Sequence, residues 1–245
     1  MVRIGLKMDL TKKDNRIDYQ VPWNVLDVLA VLLSTIIVAA VLYLGISFLF
    51  SKQDIIFKFF SCSFALSMIF IPYFWLKRRY NIKWSSLGLR KGKYPFIINF
   101  SLGIATAFLF LSLIRVIPFL YEVVLKDDTI HIRNFFAILL TPFTLTGFTK
   151  FVLAPFGEEV LFRGVVYGYF REKVGIIPGI FSQAFISTIL HLFYIKESFL
   201  YNDFLGVIIY LISIHIVFSI LYEKTNSLYS SIICHGVFNY LLFIY

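Results

Sequence analysis

Four polar residues in the second half of this chain carry the side chains that amide hydrolysis requires, although each lies in an apolar stretch. Glu158 supplies a carboxylate, His191 and His235 supply imidazoles, and Asn239 supplies an amide. Carboxylates and imidazoles transfer protons, and N–H donors stabilise a developing oxyanion. Because such groups are costly in apolar surroundings, their presence predicts a reactive site.

The adjacent carboxylates of the run 158–164, Glu-Glu-Val-Leu-Phe-Arg-Gly, are predicted to have different tasks. Glu159 and Arg163 are four residues apart, so on a helix they share a face and form an ion pair. Glu158 is rotated from Glu159 by about 100° and is left for a second task, which we predict to be that of a base. The alternative is a structural charge cluster that offsets a helix dipole.

The histidines differ in how strongly their surroundings indicate a function. His235 and Asn239 are four residues apart and point donors into one pocket if the segment is helical. His191 alone is weak support for a site. We expect His215, in the middle of an apolar segment, to be structural, and His131, in a polar loop, to need no function.

Two mechanisms fit these residue types. In the first, Glu158 and His191 activate a water molecule, while His235 and Asn239 stabilise the oxyanion. In the second, Glu158, His191 and His235 bind a catalytic zinc ion. Neither histidine belongs to an H-E-x-x-H helix, which weakens the zinc interpretation, but the sequence leaves both open.

The composition predicts an all-α polytopic membrane protein. Hydrophobic residues make up 59% of the 245 residues and charged residues only 15%, whereas soluble domains have about 25% charged residues. The formal charge of +9 is explained by basic loops beside anionic lipid, and no nucleic-acid-binding motif is present. Cys62 and Cys234 lie in apolar runs and predict no disulfide.

A membrane-spanning helix needs about 20 apolar residues, and on this criterion the chain has eight candidate segments. They are 25–50, 55–76, 95–121, 134–154, 157–172, 176–194, 204–222 and 228–245. Pro155 and Gly157 are expected to separate the fourth segment from the fifth.

The distribution of basic residues predicts the orientation. The N-terminal tail and the loop 77–93 are rich in Lys and Arg, and two crossings separate them, so both are expected in the cytoplasm. Eight crossings would return the C-terminus to the same side. Glu158, at the start of the fifth segment, and His191, near the end of the sixth, would then lie near the cytoplasmic ends of their helices.

Together, the motifs resemble those of the type II CAAX prenyl endopeptidase family, also called the CAAX protease and bacteriocin-processing (Abi) family. E-E-x-x-x-R at 158–163 is followed by His191 and by H-x-x-x-N at 235–239, and the resemblance covers about residues 150–245. One position departs from the family pattern: Ser187 lies where a Phe normally precedes the histidine by four residues, and the nearest upstream Phe is Phe185.

The resemblance implies a bundle of eight helices around a cavity that opens to the cytoplasm. It also implies that Glu158 and His191 activate water and that His235 and Asn239 form an oxyanion hole, with Glu159 and Arg163 in support. We therefore expect a polar lead at 1–23 and one transmembrane domain at 24–245, with the protease-like core at 134–245.

The expected function is that of an intramembrane endopeptidase that matures or degrades small peptides or membrane-protein tails in the cell membrane. No cofactor is expected, with zinc as the alternative, and the expected partners are a peptide or membrane-protein substrate and the bilayer. Two other classes remain open, a non-catalytic bacteriocin-immunity protein and a transporter. The transporter is disfavoured because the sequence contains no inverted repeat.

Overall fold

The computed structural model describes residues 21–116, 141–192 and 197–244, and its regular elements are helices, with no strand in these ranges. Most of the predicted polar lead, His131, and the first seven residues of the segment 134–154 lie outside the described residues. Four of the described helices are long and apolar enough to cross a bilayer, namely 25–49, 53–80, 96–114 and 204–225.

Seven long helical segments make up the described part of the chain. They are α1 (Val25–Leu49), α2 (Gln53–Tyr80), α3 (Phe96–Val116), α4 (145–174), α5 (Ile176–Leu192), α6 (Glu197–Thr225) and α7 (Leu228–Ile244). Asn24 and Asp27 begin α1 with a reciprocal capping box. Gly175, at φ 93°, ends α4, and Asn226, at φ 55°, ends α6, so both reversals occur in the left-handed region.

The expected break at Pro155 and Gly157 is wrong, because α4 is continuous through both residues. It consists of consecutive helical stretches, Leu145–Phe148, Thr149–Leu153, Ala154–Glu159, Val160–Tyr167 and Gly168–Val174, of which the second and fourth are π-helical. The described parts of the fourth and fifth predicted segments are thus one helix. Eight separate spans are not confirmed.

A π-helical turn allows the chain to pass Pro155 without ending the helix. Proline has no N–H, and in an α-helix its ring clashes with the carbonyl four residues earlier. In the stretch before Pro155 the hydrogen bonds have π-helical spacing, as shown by the bond from Ala154 N–H to the Thr149 carbonyl. At the same spacing Pro155 would face the Lys150 carbonyl, but it has no N–H to donate. Asn239 of α7 donates to this oxygen at 3.2 Å.

Several reversals of the chain meet at one end of the bundle. We call it the charged end and define it as residues 77–93, the Gly175 turn and the Asn226 turn. The start of α1 joins it through Trp23, whose Nε1 donates to the Val165 carbonyl at 3.1 Å. Arg171 pairs with Glu223 at 2.8 Å, and Leu228 N–H donates to the Gly88 carbonyl at 2.9 Å. The N-terminal side of α1 and the loop 77–93 therefore share an end, as the charge pattern predicts.

This arrangement corrects the predicted depth and direction of the later helices. The Gly175 turn lies at the charged end, whereas the sequence prediction placed it on the opposite side. Glu158 is 17 residues from Gly175, or about 25 Å along α4, so it lies inside the bundle. Helix α7 starts at the charged end and runs away from it, so Val21 and Ile244 lie at opposite ends. The prediction that both termini face the cytoplasm rested on eight crossings, whereas α4 is one helix and not two; the orientation of the termini stays a prediction.

Helix α7 packs against α4 at a glycine. A Cβ atom on Gly236 would lie 2.3 Å from the Phe151 carbonyl oxygen, a backbone atom that cannot rotate away. The contact brings the neighbouring residue, His235, against the carboxylates of α4. A small residue at this position is therefore a condition for assembling the polar cluster.

We expect Gly236→Ala to lower the free energy of unfolding by about 1–3 kcal/mol, because the added methyl group must push the two helices apart. Gly45→Ala is the matched control, since a Cβ at Gly45 has no atom within 4 Å. Thermal unfolding in detergent measures both changes. Equal unfolding temperatures for the two variants would contradict this account of the helix contact.

Candidate active site

Three of the predicted site residues meet at a single oxygen atom. Glu158 Oε2 lies 3.4 Å from Nε2 of His191 and 3.7 Å from Nε2 of His235. The residues come from α4, α5 and α7, and the His235 side chain is only 8% exposed. The structure thus brings together one carboxylate and two imidazoles from distant parts of the chain.

Chain reversals explain why these residues lie at one depth. His191 is 16 residues after Gly175 and Glu158 is 17 residues before it, so both are about 25 Å from the same turn. Helix α7 runs antiparallel to α4, with Gly236 against Phe151 and Asn239 against Lys150. His235 therefore faces the middle of α4, where the glutamates lie.

The Nδ1 atoms of both histidines are held by acceptors. Nδ1 of His191 lies 2.8 Å from the Ser187 carbonyl oxygen, and Nδ1 of His235 lies 3.0 Å from Glu159 Oε1. A carbonyl and a carboxylate only accept hydrogen bonds, so each Nδ1 carries a proton. In a neutral ring, Nε2 then carries no proton, and its lone pair faces Glu158.

Glu159 and Arg163 form the ion pair that their spacing predicts. Arg163 Nη1 donates to Glu159 Oε1 at 3.0 Å, and both side chains are fully buried. Because Glu159 Oε1 also accepts a hydrogen bond from His235, the contacts of this carboxylate are structural. Glu158 is 17% exposed and lines two cavities, so the two adjacent glutamates have different surroundings.

Asn239 lies one turn beyond His235 on α7, and its side chain already forms a hydrogen bond to α4. Its Nδ2 donates to the Lys150 carbonyl of α4. The sequence spacing predicted the shared face correctly but gave no sign of this bond. Among the contacts described for the chain, none joins Asn239 to Glu158 or to His191.

Two cavities meet at Glu158. One, of about 170 Å³, lies between α1, α2 and α4 and is mostly apolar, with His191 and Glu158 in its wall. The other, of about 370 Å³, extends from Glu158 along 57–68 of α2 and 146–154 of α4. This second cavity lies on the side of Glu158 remote from the charged end.

An aromatic neighbour of His191 comes from α4 and not from the segment just upstream of the histidine. Phe185 is 59% exposed on the bundle surface. Phe162 of α4 is 3% exposed, and its ring centroid lies 6.1 Å from that of His191. Ser187 contacts the histidine through its backbone carbonyl, so the departure from the family pattern leaves the position of His191 intact.

His215 is a member of the cluster that the sequence interpretation set aside as structural. It is 2% exposed, its Nδ1 lies 3.0 Å from Arg163 Nη2, and its ring centroid lies 4.9 Å from that of His191. Its position relative to the Asn226 turn was a usable signal: His215 lies 11 residues before Asn226 and His235 lies 9 after it. Residues nearly equidistant from a tight turn between antiparallel helices lie at similar depth.

Comparison with known proteins identifies one part of the chain. The search of the curated proteins and the search of the solved structures gave no match to the chain. Residues 140–241 match the family model "Type II CAAX prenyl endopeptidase Rce1-like". The matched range contains Glu158, His191, His235 and Asn239, so the resemblance stated from the sequence motifs is confirmed. Over residues 140–241, which are less than half of the chain, the sequence is similar to the Rce1-like type II CAAX prenyl endopeptidase family.

Proposed function

We propose that this protein is an intramembrane endopeptidase in which Glu158 and His191 activate water for attack on a peptide bond. The observation that carries the proposal is the position of Glu158 Oε2, which faces the Nε2 atoms of two histidines whose Nδ1 atoms are already bound. The wall that Glu158 and His191 share in an apolar cavity supports access of a substrate to these atoms.

The charges of the cluster favour one mobile proton. Glu158 and Glu159 contribute two negative charges and Arg163 one positive charge, all in a buried setting. An uncompensated charge is costly where the dielectric is low. One additional proton, shared among Glu158, His191 and His235, balances the cluster. Hydrolysis needs such a proton beside the scissile bond.

The proposed reaction begins with proton transfer from water to the Glu158 carboxylate, while His191 orients the pair. The hydroxide oxygen bonds to the peptide carbonyl carbon, and the carbonyl π electrons move onto oxygen. When the tetrahedral intermediate collapses, the C–N bond breaks and Glu158 returns its proton to the leaving amine. The products are a new carboxyl end and a new amino end, and the enzyme regains its starting state.

We assign the oxyanion to His235 and Asn239. The protonated ring of His235 donates from Nε2, because its Nδ1–H already donates to Glu159. One N–H of the Asn239 amide is used by the Lys150 carbonyl, so its second N–H is the one offered to the oxyanion. Glu159 and Arg163 support the site by holding the His235 ring in place.

The surroundings of the cluster favour an apolar peptide or a membrane-protein tail as substrate. Leu32, Ile36, Phe64 and Leu190 line the smaller cavity beside Glu158 and His191, and many large apolar side chains cover the outside of the bundle. We place the protein in the cell membrane with the charged end in the cytoplasm, following the excess of Lys and Arg there. We propose no nucleic-acid partner.

A zinc peptidase remains the second candidate, because histidines with Nδ1 held by a carboxylate or a carbonyl are typical zinc ligands. Glu158, His191 and His235 have the right donor types for it. Among the described residues, however, no group of three or more His, Cys, Asp and Glu side chains has an arrangement that holds a metal ion. The proposed mechanism uses no metal or other cofactor, and this remains a prediction.

Purified protein is expected to retain peptidase activity after treatment with a strong chelator, because the proposed proton transfers need only side chains and water. The measurement compares cleavage rates before and after chelation, with metal content determined by mass spectrometry. Activity that is lost on chelation and restored by stoichiometric zinc would establish the zinc alternative.

Replacement of Glu158 by Gln should reduce cleavage by roughly 10²–10⁴-fold, because the amide cannot accept the proton of water. Membranes from cells that express wild type or Glu158→Gln are compared by mass spectrometry of newly formed peptide ends. Asp54→Asn is the matched control, since Asp54 is an exposed acid in the first turn of α2.

Equal peptide-end profiles for wild type and Glu158→Gln would contradict the proposed function. If an immunity phenotype then persisted in both strains, a non-catalytic membrane protein would be the better account. Unchanged thermal unfolding of Glu158→Gln is required, so that loss of cleavage reflects chemistry and not loss of fold.

A further inference from the structure

His215 is a buried histidine for which the proposed reaction has no role. It lies on α6 with 2% of its surface exposed. Arg163 donates to it twice from Nη2, at 3.0 Å to the backbone carbonyl and at 3.0 Å to ring Nδ1. A buried imidazole bound in this way has only one orientation available to it.

The bond from Arg163 fixes the tautomer of His215. A guanidinium only donates hydrogen bonds, so Nδ1 of His215 is the acceptor and carries no proton. The neutral ring must then carry its proton on Nε2. His215 is thus the reverse of His191 and His235, in which Nδ1 carries the proton and a neutral Nε2 can only accept.

The Nε2–H group of His215 has no hydrogen-bond partner among the described residues, although it is buried. Leaving a buried donor unpaired costs free energy, so such a donor points to a bound molecule. Thr188 Oγ1, on the turn of α5 that precedes His191, is also buried without a partner in this part of the structure. Both polar groups therefore flank His191.

The location of His215 places this residue close to the proposed reaction centre. Its ring centroid lies 4.9 Å from that of His191, whose Nε2 is 3.4 Å from Glu158 Oε2. His215 is thus next to the Glu158–His191 pair, at which the proposed reaction develops negative charge. Its Nε2–H donor is also present without any additional proton, whereas His235 donates from Nε2 only when its ring is charged.

We infer that His215 is a further catalytic residue, which donates a hydrogen bond from Nε2 to the oxyanion formed at the Glu158–His191 centre. This inference rests on the proposed endopeptidase function and adds to it a neutral donor whose tautomer Arg163 sets. Arg163 then has two tasks: it binds Glu159 on one side and holds His215 as an Nε2–H donor on the other.

Two substitutions separate this role from a structural one. In His215→Gln the amide nitrogen lies near the position of Nε2, so the donor is kept and the acceptor for Arg163 is lost. In His215→Asn the amide oxygen lies near the position of Nδ1, so the acceptor for Arg163 is kept and the donor is lost. The pair therefore removes one function of the ring at a time.

We expect His215→Asn to lower kcat by roughly 10²–10³-fold with little change in KM, as for other oxyanion donors, and His215→Gln to keep more of the activity. Rates are measured on a peptide whose cleavage depends on Glu158, with thermal unfolding as the control for folding. Wild-type rates for both variants, or greater activity in His215→Asn than in His215→Gln, would overturn the inference and leave the endopeptidase function standing.

Equal cleavage by wild type and Glu158→Gln would instead remove the proposed function, and the inference with it. Nitrogen-15 NMR of histidine-labelled wild type provides a readout that does not depend on the folding of any variant. The expected spectrum has His215 protonated at Nε2 and not at Nδ1. A proton on Nδ1 would overturn the inference whatever the variants do.

Discussion

The buried ion pair between Glu159 and Arg163 is the interaction on which the site depends. Both side chains are inaccessible to solvent, and such a pair is tolerated only when further hydrogen bonds satisfy it. Here those bonds go to histidines: Glu159 accepts from His235, and Arg163 donates to His215. Because one partner only accepts and the other only donates, the pair sets opposite tautomers in the two rings. The charge that costs free energy to bury therefore determines the protonation of the site.

The course of α4 through Pro155 is the second condition for the site. The π-helical turn at Thr149–Leu153 lets the helix continue, and the Lys150 carbonyl in this turn accepts a hydrogen bond from Asn239 of α7. Gly236 permits close approach at the same level. An apparent helix breaker thus becomes part of the docking surface for the helix that carries His235. The glutamates lie in the middle of a long helix, among the neighbouring helices of the bundle.

Much of this arrangement was predictable from residue types and spacing. The i, i+4 relation of Glu159 and Arg163 gave their ion pair, and the long apolar runs gave the helices of the first half of the chain. The motif pattern predicted the family resemblance that the match over residues 140–241 confirms. These features depend on local geometry or on residues that recur together, and a sequence carries both directly.

The parts that were missed depend on contacts between helices. The rule that proline ends a helix predicted a break at Pro155, because the sequence does not show a π-helical turn. That error added a crossing and reversed the predicted direction of α7. His215 looked like an ordinary core histidine, because its importance comes from Arg163, 52 residues away. The bond of Asn239 to the Lys150 carbonyl was likewise missed, since it joins two helices that are 89 residues apart in the sequence.

The most direct test of the central claim, that Glu158 activates water and does not itself attack the peptide, is a single turnover in oxygen-18 water with enzyme in excess. Direct attack by water places one labelled oxygen in the new C-terminal carboxyl group and none in the Glu158 side chain. Mass spectrometry of the product and of the enzyme peptide that contains Glu158 measures both. An unlabelled product with label in Glu158 would show covalent attack by the carboxylate and would contradict the account.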